Sequence, residues 1–538
     1  MNRHAMRTST AVNFRAIATR RKRRSQKLSH GFDMAPFPHR PLRRYGSLRV
    51  AVVLCAAALA ACAPPVRPPA FVPREEVPIA GLPTTQTGWP QPEWWKRYDD
   101  AQLDRVVDLA MRGSPDMEQA EARYRAALRA VDSAKAELNP QVRGLLNGGH
   151  GYNDVSLQGQ APGAAGSAQG FQLNPGSSWS NSGAAGALAT WDLDLWGKQK
   201  DAVAASVGQA RAAEAERASA ATSLQYNVVN TYYDWQAQQA RLAVARHVSD
   251  LSSQYRELVE LRVHGGLDDP TTLDQADAQL AQTRQNVAQL EGAASLDLVQ
   301  LAALAGVSPK ELGTLTPSPL PTPDTRLPDD ARLGLLARRP DIAAARWQIE
   351  ASSKNIDQAR KAYYPDVSLM ALGAFLRTYP DLGSGTRTDL TLGNIGASVQ
   401  LPIFSGGRLR AQYESAQAQL DTAVAQYDGA VVQAAGDVAQ GIATLQMLDN
   451  QRVQVDRQYD ASAAQKGKAA DRRSKGLIDD RNWLNADMQL DQQRDARLQL
   501  TSRMLAANLS LIHALGGGYH ADDLPDLPAT TAGKDSTR

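Results

Sequence analysis

The chain has 538 residues, with 59 Lys and Arg against 56 Asp and Glu, a formal net charge of +3. That excess belongs to the basic N-terminal segment, so the rest of the chain is acidic and no nucleic-acid partner is implied. The only cysteines, Cys55 and Cys62, both fall in one apolar segment, which excludes a disulfide or a cysteine metal site elsewhere.

Residues 48–62 form that apolar run, which ends Leu59-Ala60-Ala61-Cys62. It is shorter than the ~20 residues that cross a bilayer as a helix. Arg20, Arg21, Lys22, Arg23 and Arg24 lie upstream, as in the basic flank of an export signal. The order of flank, run and small-residue cleavage site predicts a bacterial lipoprotein signal over 1–61, with lipid attached to Cys62. The flank is long for such a signal, and Met34 offers a later start. Ala63, where an Asp would argue for inner-membrane retention, favours the outer membrane. Prolines recur over 62–92, from Pro64 to Pro92, and predict an extended, water-exposed linker.

From Asp100 to Leu138 the pattern is helical, broken at Gly113-Ser114-Pro115. Asn139-Pro140 ends it. Two strands are predicted at 141–146 and 186–195, joined by a long Gly/Ser/Asn loop. In the second strand Ala187, Ala189, Trp191, Leu193 and Leu195 share one face, and Leu188, Thr190, Asp192 and Asp194 the other. A charged, alanine-rich helix follows from Lys198 to about His264, of order 100 Å long at about 1.5 Å per residue. The turn from His264 to Pro270 ends it, and a second long helix runs from Thr272 to about Ala305. Residues 307–329 are a Pro-rich crossing segment.

The pattern then repeats. A helix is predicted over 342–364, with Tyr364-Pro365 in the role of Asn139-Pro140. Strands follow at 367–372 and 394–404, where Ile395, Ala397, Val399 and Leu401 alternate with Gly396, Ser398 and Gln400. A long helix over 408–475, a turn from Gly476 to Asp480 and a return from Trp483 to Leu515 complete it. Gly197-Lys198 aligns with Gly407-Arg408, Gly266-Leu267 with Gly476-Leu477, and Gly306 with Gly516, all at one offset. The chain is an internal duplication. Gly516-Gly517-Gly518 reads as a C-cap and tail hinge.

Four strands close no pore, and open sheet edges are excluded from lipid because unpaired backbone groups cost several kcal/mol there. Other copies must complete the strands, and three copies supply twelve.

Trp191-Asp192-Leu193-Asp194-Leu195-Trp196-Gly197-Lys198 resembles the strand-to-helix junction of the outer membrane factor lipoproteins, the exit channels of tripartite resistance–nodulation–division efflux systems. Leu401-Pro402-Ile403-Phe404-Ser405-Gly406-Gly407-Arg408 resembles the matching junction of their second repeat, and Pro92-Glu93-Trp94-Trp95 their N-terminal motif. The resemblance implies a mixed α/β membrane channel, a homotrimer with a twelve-stranded β-barrel in the outer membrane and a twelve-helix periplasmic tunnel. It divides the chain into equatorial and tunnel helices (93–140), hairpin 1 (141–196), helix pair 1 (197–306), crossing segment (307–340), tunnel helix (341–365), hairpin 2 (366–404), helix pair 2 (405–516) and a flexible tail (517–538).

Under that resemblance the tips Gly265, Gly266, Leu267 and Gly476, Leu477, Ile478 face a periplasmic adaptor (membrane fusion) protein, which links them to an inner-membrane transporter. A plain capping turn is the alternative. Asp268, Asp269, Asp479, Asp480 and Arg481 beside the tips are either a gate or helix caps. Some family members carry an acid where Asn485 stands here, which weakens a simple carboxylate-ring gate. Trp191, Trp196, Gly197, Pro402, Phe404 and Gly407 mark the barrel-to-tunnel junction. The scattered histidines, such as His150, His247, His264, His513 and His520, make no metal set, and no catalytic residues or cofactor beyond the Cys62 lipid are expected. Drug or toxin efflux is the expected function. Type I protein secretion and a lipid-anchored scaffold without a pore are the alternatives.

Overall fold

The computed structural model describes residues 89–153, 178–322, 338–380 and 388–520, with residues 70, 72 and 73. The predicted signal, Cys62 and most of the linker lie outside these residues, as does part of the crossing segment.

A 3-10 turn (Trp94–Tyr98) leads into α1 (Ala101–Gly113), whose first turn is capped by Asp100 accepting from the N–H groups of Gln102 and Leu103. Extended Ser114 ends α1, and Pro115 at the first helical position starts α2 (Pro115–Ala136). Strands β1 (Gln141–Asn153) and β2 (Ser178–Leu193) follow, then α3 (Lys198–His264) and α4 (Pro270–Leu304). A one-turn α5 (Pro309–Leu312) carries a Ser308/Glu311 capping box. The second repeat contains α6 (Pro340–Lys361), β3 (Asp366–Pro380), β4 (Thr388–Gln400), α7 (Arg408–Ser474) and α8 (Asp480–Ala514).

The duplication is metrically close. α2 and α6 each have 22 residues, α3 and α7 each 67, α4 and α8 each 35. Gly197 (φ 78°) and Gly407 (φ 86°) stand immediately before the two long helices, in a left-handed conformation that costs glycine little. Gly306 and Gly516 end the two return helices against the same point of each repeat. A Cβ on Gly306 would lie 2.0 Å from the Gly113 carbonyl oxygen, and one on Gly516 1.9 Å from that of Arg338.

Helices α4, α3, α8 and α7 lie side by side in that order, with α2 along α3 and α6 between α3 and α7. One core joins α1 to α3, α4 and α8 through Leu103, Val107, Val228, Tyr232, Leu301 and Leu509. Within it the Tyr232 hydroxyl donates to Asp100 (2.7 Å) and accepts from Gln236 (2.9 Å), and burial pushes its pKa upward. Trp94 and Trp95 are buried in this core. A second core gathers Ile342, Val431, Val438 and Leu511, with Trp89.

The helix boundaries match the sequence reading closely; the strands do not. Residues 147–153 and 178–185 were expected in a polar loop but pair as β1 and β2, with Gly148 opposite Gly183. Strand β3 likewise runs past 372, and β4 begins at Thr388 rather than 394. Conversely, Leu195 and Leu401 fall beyond the ends of β2 and β4, so neither continues the alternation assigned to it. The expected flexible tail (517–538) begins too early, since Gly517, Gly518 and Tyr519 are buried; residues 521–538 lie outside the described residues. A Cβ on Gly518 would meet the Gln91 carbonyl at 2.3 Å, so this glycine is a packing contact rather than a hinge.

Candidate functional site

The four strands form one antiparallel sheet in the order β1-β2-β3-β4, and among the described residues each outer strand has one open edge. The register aligns Val142, Ala189, Ala371 and Ile395 in one row across the sheet. One face therefore carries Val142, Leu146, Ala187, Trp191, Val367, Leu369, Phe375, Ile395 and Val399. The apolar sets read separately from the two repeats thus share a face. From Val367 to Phe375 the band is about 26 Å along the strand at about 3.3 Å per residue. The opposite face mixes Arg143, Asn147, Thr190, Asp192, Ser368, Asn394 and Ser398 with leucines. On the apolar face side chains stand in solvent: Leu146 is 84 % and Ile395 88 % exposed. Among the described residues no helix is long and apolar enough to cross a membrane.

At the far end of the apolar face the side chains turn polar. Arg377 pairs with Asp389 (2.9 Å) and covers the Phe375 ring, and His150 meets Asn181. At the near end stand the junction residues. Trp191 donates from its indole to the Leu138 carbonyl (3.0 Å), and Trp196 donates to that of Pro365 (2.8 Å) while stacking on Tyr364. Each indole thus ties β2, or the turn after it, to the junction that precedes a hairpin. Asp194, assigned to a strand face by alternation, instead accepts from the N–H groups of Gln199 and Lys200 and satisfies the start of α3. Lys361 reaches Asp201 (2.5 Å) and the Gly197 carbonyl. In the second junction Ile403 and Phe404 are 88 % and 91 % exposed.

At the other end of the helices the two tips are built alike. The Gly266 N–H bonds the Val263 carbonyl and the Leu267 N–H that of Arg262; Gly476 and Leu477 repeat this with Arg473 and Arg472. These are Schellman caps, and Gly266 (φ 68°) and Gly476 (φ 70°) hold the left-handed position. Gly265 does not need to be glycine on this ground, since its φ is −80°. The next residue of such a cap usually packs back on its helix. Here Leu267 and Leu477 remain 67 % and 69 % exposed, while Ile478 is half-buried.

The five charged tip residues divide by role. Asp269 caps α4 through the Thr271 N–H, and Asp479 caps α8 through that of Asn482. Asp480 pairs with Arg473 (2.6 Å), which also covers the Trp483 ring. Asp268 and Arg481 join the two tips: Asp268 takes two bonds from Arg262 (2.8 and 3.1 Å) and one from Arg481 of the other repeat (2.9 Å), and Arg481 also bonds Asp479 (3.0 Å). Hydrogen bonding from Arg262, with the charges of Arg262 and Arg481, holds the Asp268 carboxyl below its ordinary range. Asp269 is lowered by its Thr271 bonds. Partial burial opposes the lowering of Asp479, and the Asn482 N–H, Arg481 and Arg262 outweigh it.

Above the tips the α3–α8 seam continues with Leu251, Leu484 and Met488 packed together, then His247 on buried Asp491, then Arg241 on Asp495 (2.7 Å). Asn485 is exposed, whereas Asp487 is buried against Lys466 (2.6 Å) and stands in no exposed ring. Sequence reasoning missed the Asp268–Arg481 pair, the seam ion pairs and the Asp194 cap. Among the described residues no three His, Cys, Asp or Glu side chains gather as a metal site.

A profile of the outer membrane efflux protein family matches residues 106–307 and 334–517. The multidrug resistance outer membrane protein MdtQ of Escherichia coli O157:H7 is 31 % identical over 448 residues, 81 % of this chain and 90 % of its own. The fold superposes on the outer membrane protein VceC of Vibrio cholerae with a TM-score of 0.65 at 29 % identity, covering 80 % of this chain and all of the other. The outer-membrane channel OprN gives 0.69 at 28 % identity, covering 85 % and 99 %.

Proposed function

Because the chain belongs to the outer membrane efflux protein family, we propose that it is the passive outer-membrane exit duct of a tripartite pump that exports drugs or other small toxic compounds. The observation that carries this reading is the sheet. Among the described residues one of its faces is apolar and largely exposed, and its outer strands β1 and β4 each pair on one side only. Such a sheet is costly for a lone soluble chain, and lipid with neighbouring copies supplies what it lacks.

The sheet ends in β1 and β4, and the helix layer ends in α4 on one side and α7 on the other. Three copies joined edge to edge give twelve strands and a continuous helical wall. The apolar face meets lipid and the polar face lines the lumen. Trp191, Trp196, Ile403 and Phe404 then sit at the inner headgroup level. The Ala70 N–H bonds Asp421, thirteen residues into α7, about 20 Å of helix below Arg408. Cys62 is eight residues further back, a reach of up to about 28 Å, so a lipid there attains the same headgroup level.

Toward the periplasm, exposed Leu267 and Leu477 on rigid Schellman turns are the contacts for an adaptor protein, which in turn meets an inner-membrane transporter of the resistance–nodulation–division class. The pump supplies energy, and the duct supplies a path and a gate. Asp268 and Arg481 are the gate clasp, since they bind one helical hairpin to the other. Asp269 and Asp479 act as caps. The test is cellular: deleting the chain should raise dye accumulation and sensitivity to detergents, and re-expression should reverse both. Unchanged accumulation with the pump and adaptor present would reject the exit-duct role.

A further inference from the structure

The duplication places one backbone frame at two sites and fills only one of them with an arginine. In repeat 2 the frame is the start of α6, the last residue of α8 and the facing turn of α7. Arg339, 11 % exposed, lies inside it. Its guanidinium donates to both carboxylate oxygens of Asp341 (3.0 and 2.7 Å), to Asp437 (3.2 Å) and to the Ala514 carbonyl (3.1 Å). It thereby answers two carboxylates and the negative end of a helix dipole.

In repeat 1 the equivalent residues are Ser114-Pro115-Asp116, with Pro115 and Pro340 each at the first helical position. Leu304, like Ala514, is the last residue of its return helix. Asn227 takes the place of Asp437 at the offset that aligns the long helices. The frames are held alike, because Gly306 abuts the Gly113 carbonyl as Gly516 abuts that of Arg338. What differs is the occupant: Ser114 is small and buried where Arg339 extends its guanidinium. Beside Ser114, though not lined by it, lies a cavity of about 240 Å³, and the counterparts of the Arg339 partners, Asp116, Asn227 and Leu304, all line it, as do Arg123, Glu216 and Arg217. Its lining balances two carboxylates, Asp116 and Glu216, against two guanidiniums, Arg123 and Arg217, and Arg217 is already engaged by Glu121 (2.8 Å) outside the lining and by the Tyr124 ring.

We propose that this cavity binds a small guanidinium or primary-ammonium compound, the chemistry of the side chain that fills its counterpart in repeat 2. Asp116 is the charged acceptor, and the Asn227 side-chain oxygen and the Leu304 carbonyl complete the set. The assignment is independent of the exit-duct reading, since it uses only the duplicated frame.

Agmatine titrated into the purified full chain in detergent tests it, by calorimetry and by thermal unfolding, with tetramethylammonium chloride at equal ionic strength as the reference. The expected result is saturable binding of one agmatine per chain and a raised unfolding temperature. Asp116→Asn should weaken affinity at least about 10-fold, as loss of a charge-assisted bond does. Ser114→Arg, which places a guanidinium in the cavity from within, should abolish agmatine binding and raise the unfolding temperature without ligand. Absence of saturable binding to the wild type, or binding that survives both substitutions, overturns the proposal. A change of oligomeric mass on Ser114→Arg would assign the cavity to a neighbouring copy's side chain and overturn it equally.

Discussion

Arg481→Ala is the substitution that most selectively loosens the tip. Asp268 is bound twice by Arg262 within its own hairpin and once by Arg481 across the two hairpins. Replacing Arg481 therefore leaves the repeat-1 tip folded and removes the direct Asp268–Arg481 ion pair between the tips, together with the Arg481–Asp479 pair (3.0 Å) within the second tip. The Asp479 cap also survives, because it rests on the Asn482 N–H. Even at the strength of a surface ion pair, this part-buried one shifts an equilibrium by roughly 1.4- to 5-fold, or about 3- to 150-fold over three copies acting together. Open probability in planar bilayers is the assay, and it should rise by that range. Salt supplies an internal check. Raising it from 0.1 M to 1 M shortens the screening length from about 10 Å to about 3 Å. The wild type should open more in high salt, and Arg481→Ala should respond much less. The pH check has a defined sign. Asp268 has a lowered folded pKa, so its contribution is present above the ordinary carboxylate value and is lost only as pH falls through the lowered one. The clasp should hold from neutral pH down to mildly acidic conditions. An Arg481→Ala channel that opens no more often than wild type, or a cap variant Asp269→Ala that opens as often as Arg481→Ala, would show that the Asp268–Arg481 pair is not a clasp.

Other outcomes follow from single features. Asp297 is pushed up to about 6 by burial and by Asp234, and one of its carboxylate oxygens is buried with no donor among the described residues. A raised folded pKa means this group's stability contribution is greatest below pH ~4 and is lost as pH rises toward 6. Asp297→Asn should therefore stabilise at pH 7.5 by about 1 kcal/mol after allowing for screening, and flatten the melting profile between pH 4 and 6. Gly476→Ala should cost about 1–2 kcal/mol, the strain of a left-handed alanine in open space. Gly516→Ala should cost about 1–3 kcal/mol more, because its Cβ would strike the Arg338 carbonyl; chemical denaturation compares the two. Asn485→Asp adds an exposed acid to the tip region and should raise cation over anion selectivity, read as a shift in reversal potential under a salt gradient.

What was legible in the sequence was whatever local chemistry encodes. The ends of α3, α4, α7 and α8 fell within a few residues of prediction because Schellman glycines, Asp caps and an N1 proline punctuate them, and the duplication states most of this twice. The hairpins were cut short for the opposite reason. Gly148, Gly149, Ser182 and Gly183 have poor strand propensity, and they pair because their neighbours across the sheet fix the register. Asp194 alternated as a strand residue should, and only the turn after Leu193 shows that it caps a helix. No local pattern could join Asp268 to Arg481 or His247 to Asp491, which lie in different repeats and meet only when the hairpins pack. Three glycines at the end of a helix read locally as a cap and hinge. Their packing against Gln91, Thr222 and Arg338 is a tertiary fact.

If copies of this chain close its open sheet and helix edges into a conducting duct, single-channel recording of the purified protein in planar bilayers, with oligomeric mass measured in the same detergent, should show it. A trimer that gives small or rare openings is expected, with Arg481→Ala making them more frequent. A chain that stays monomeric and never passes current would contradict this expectation.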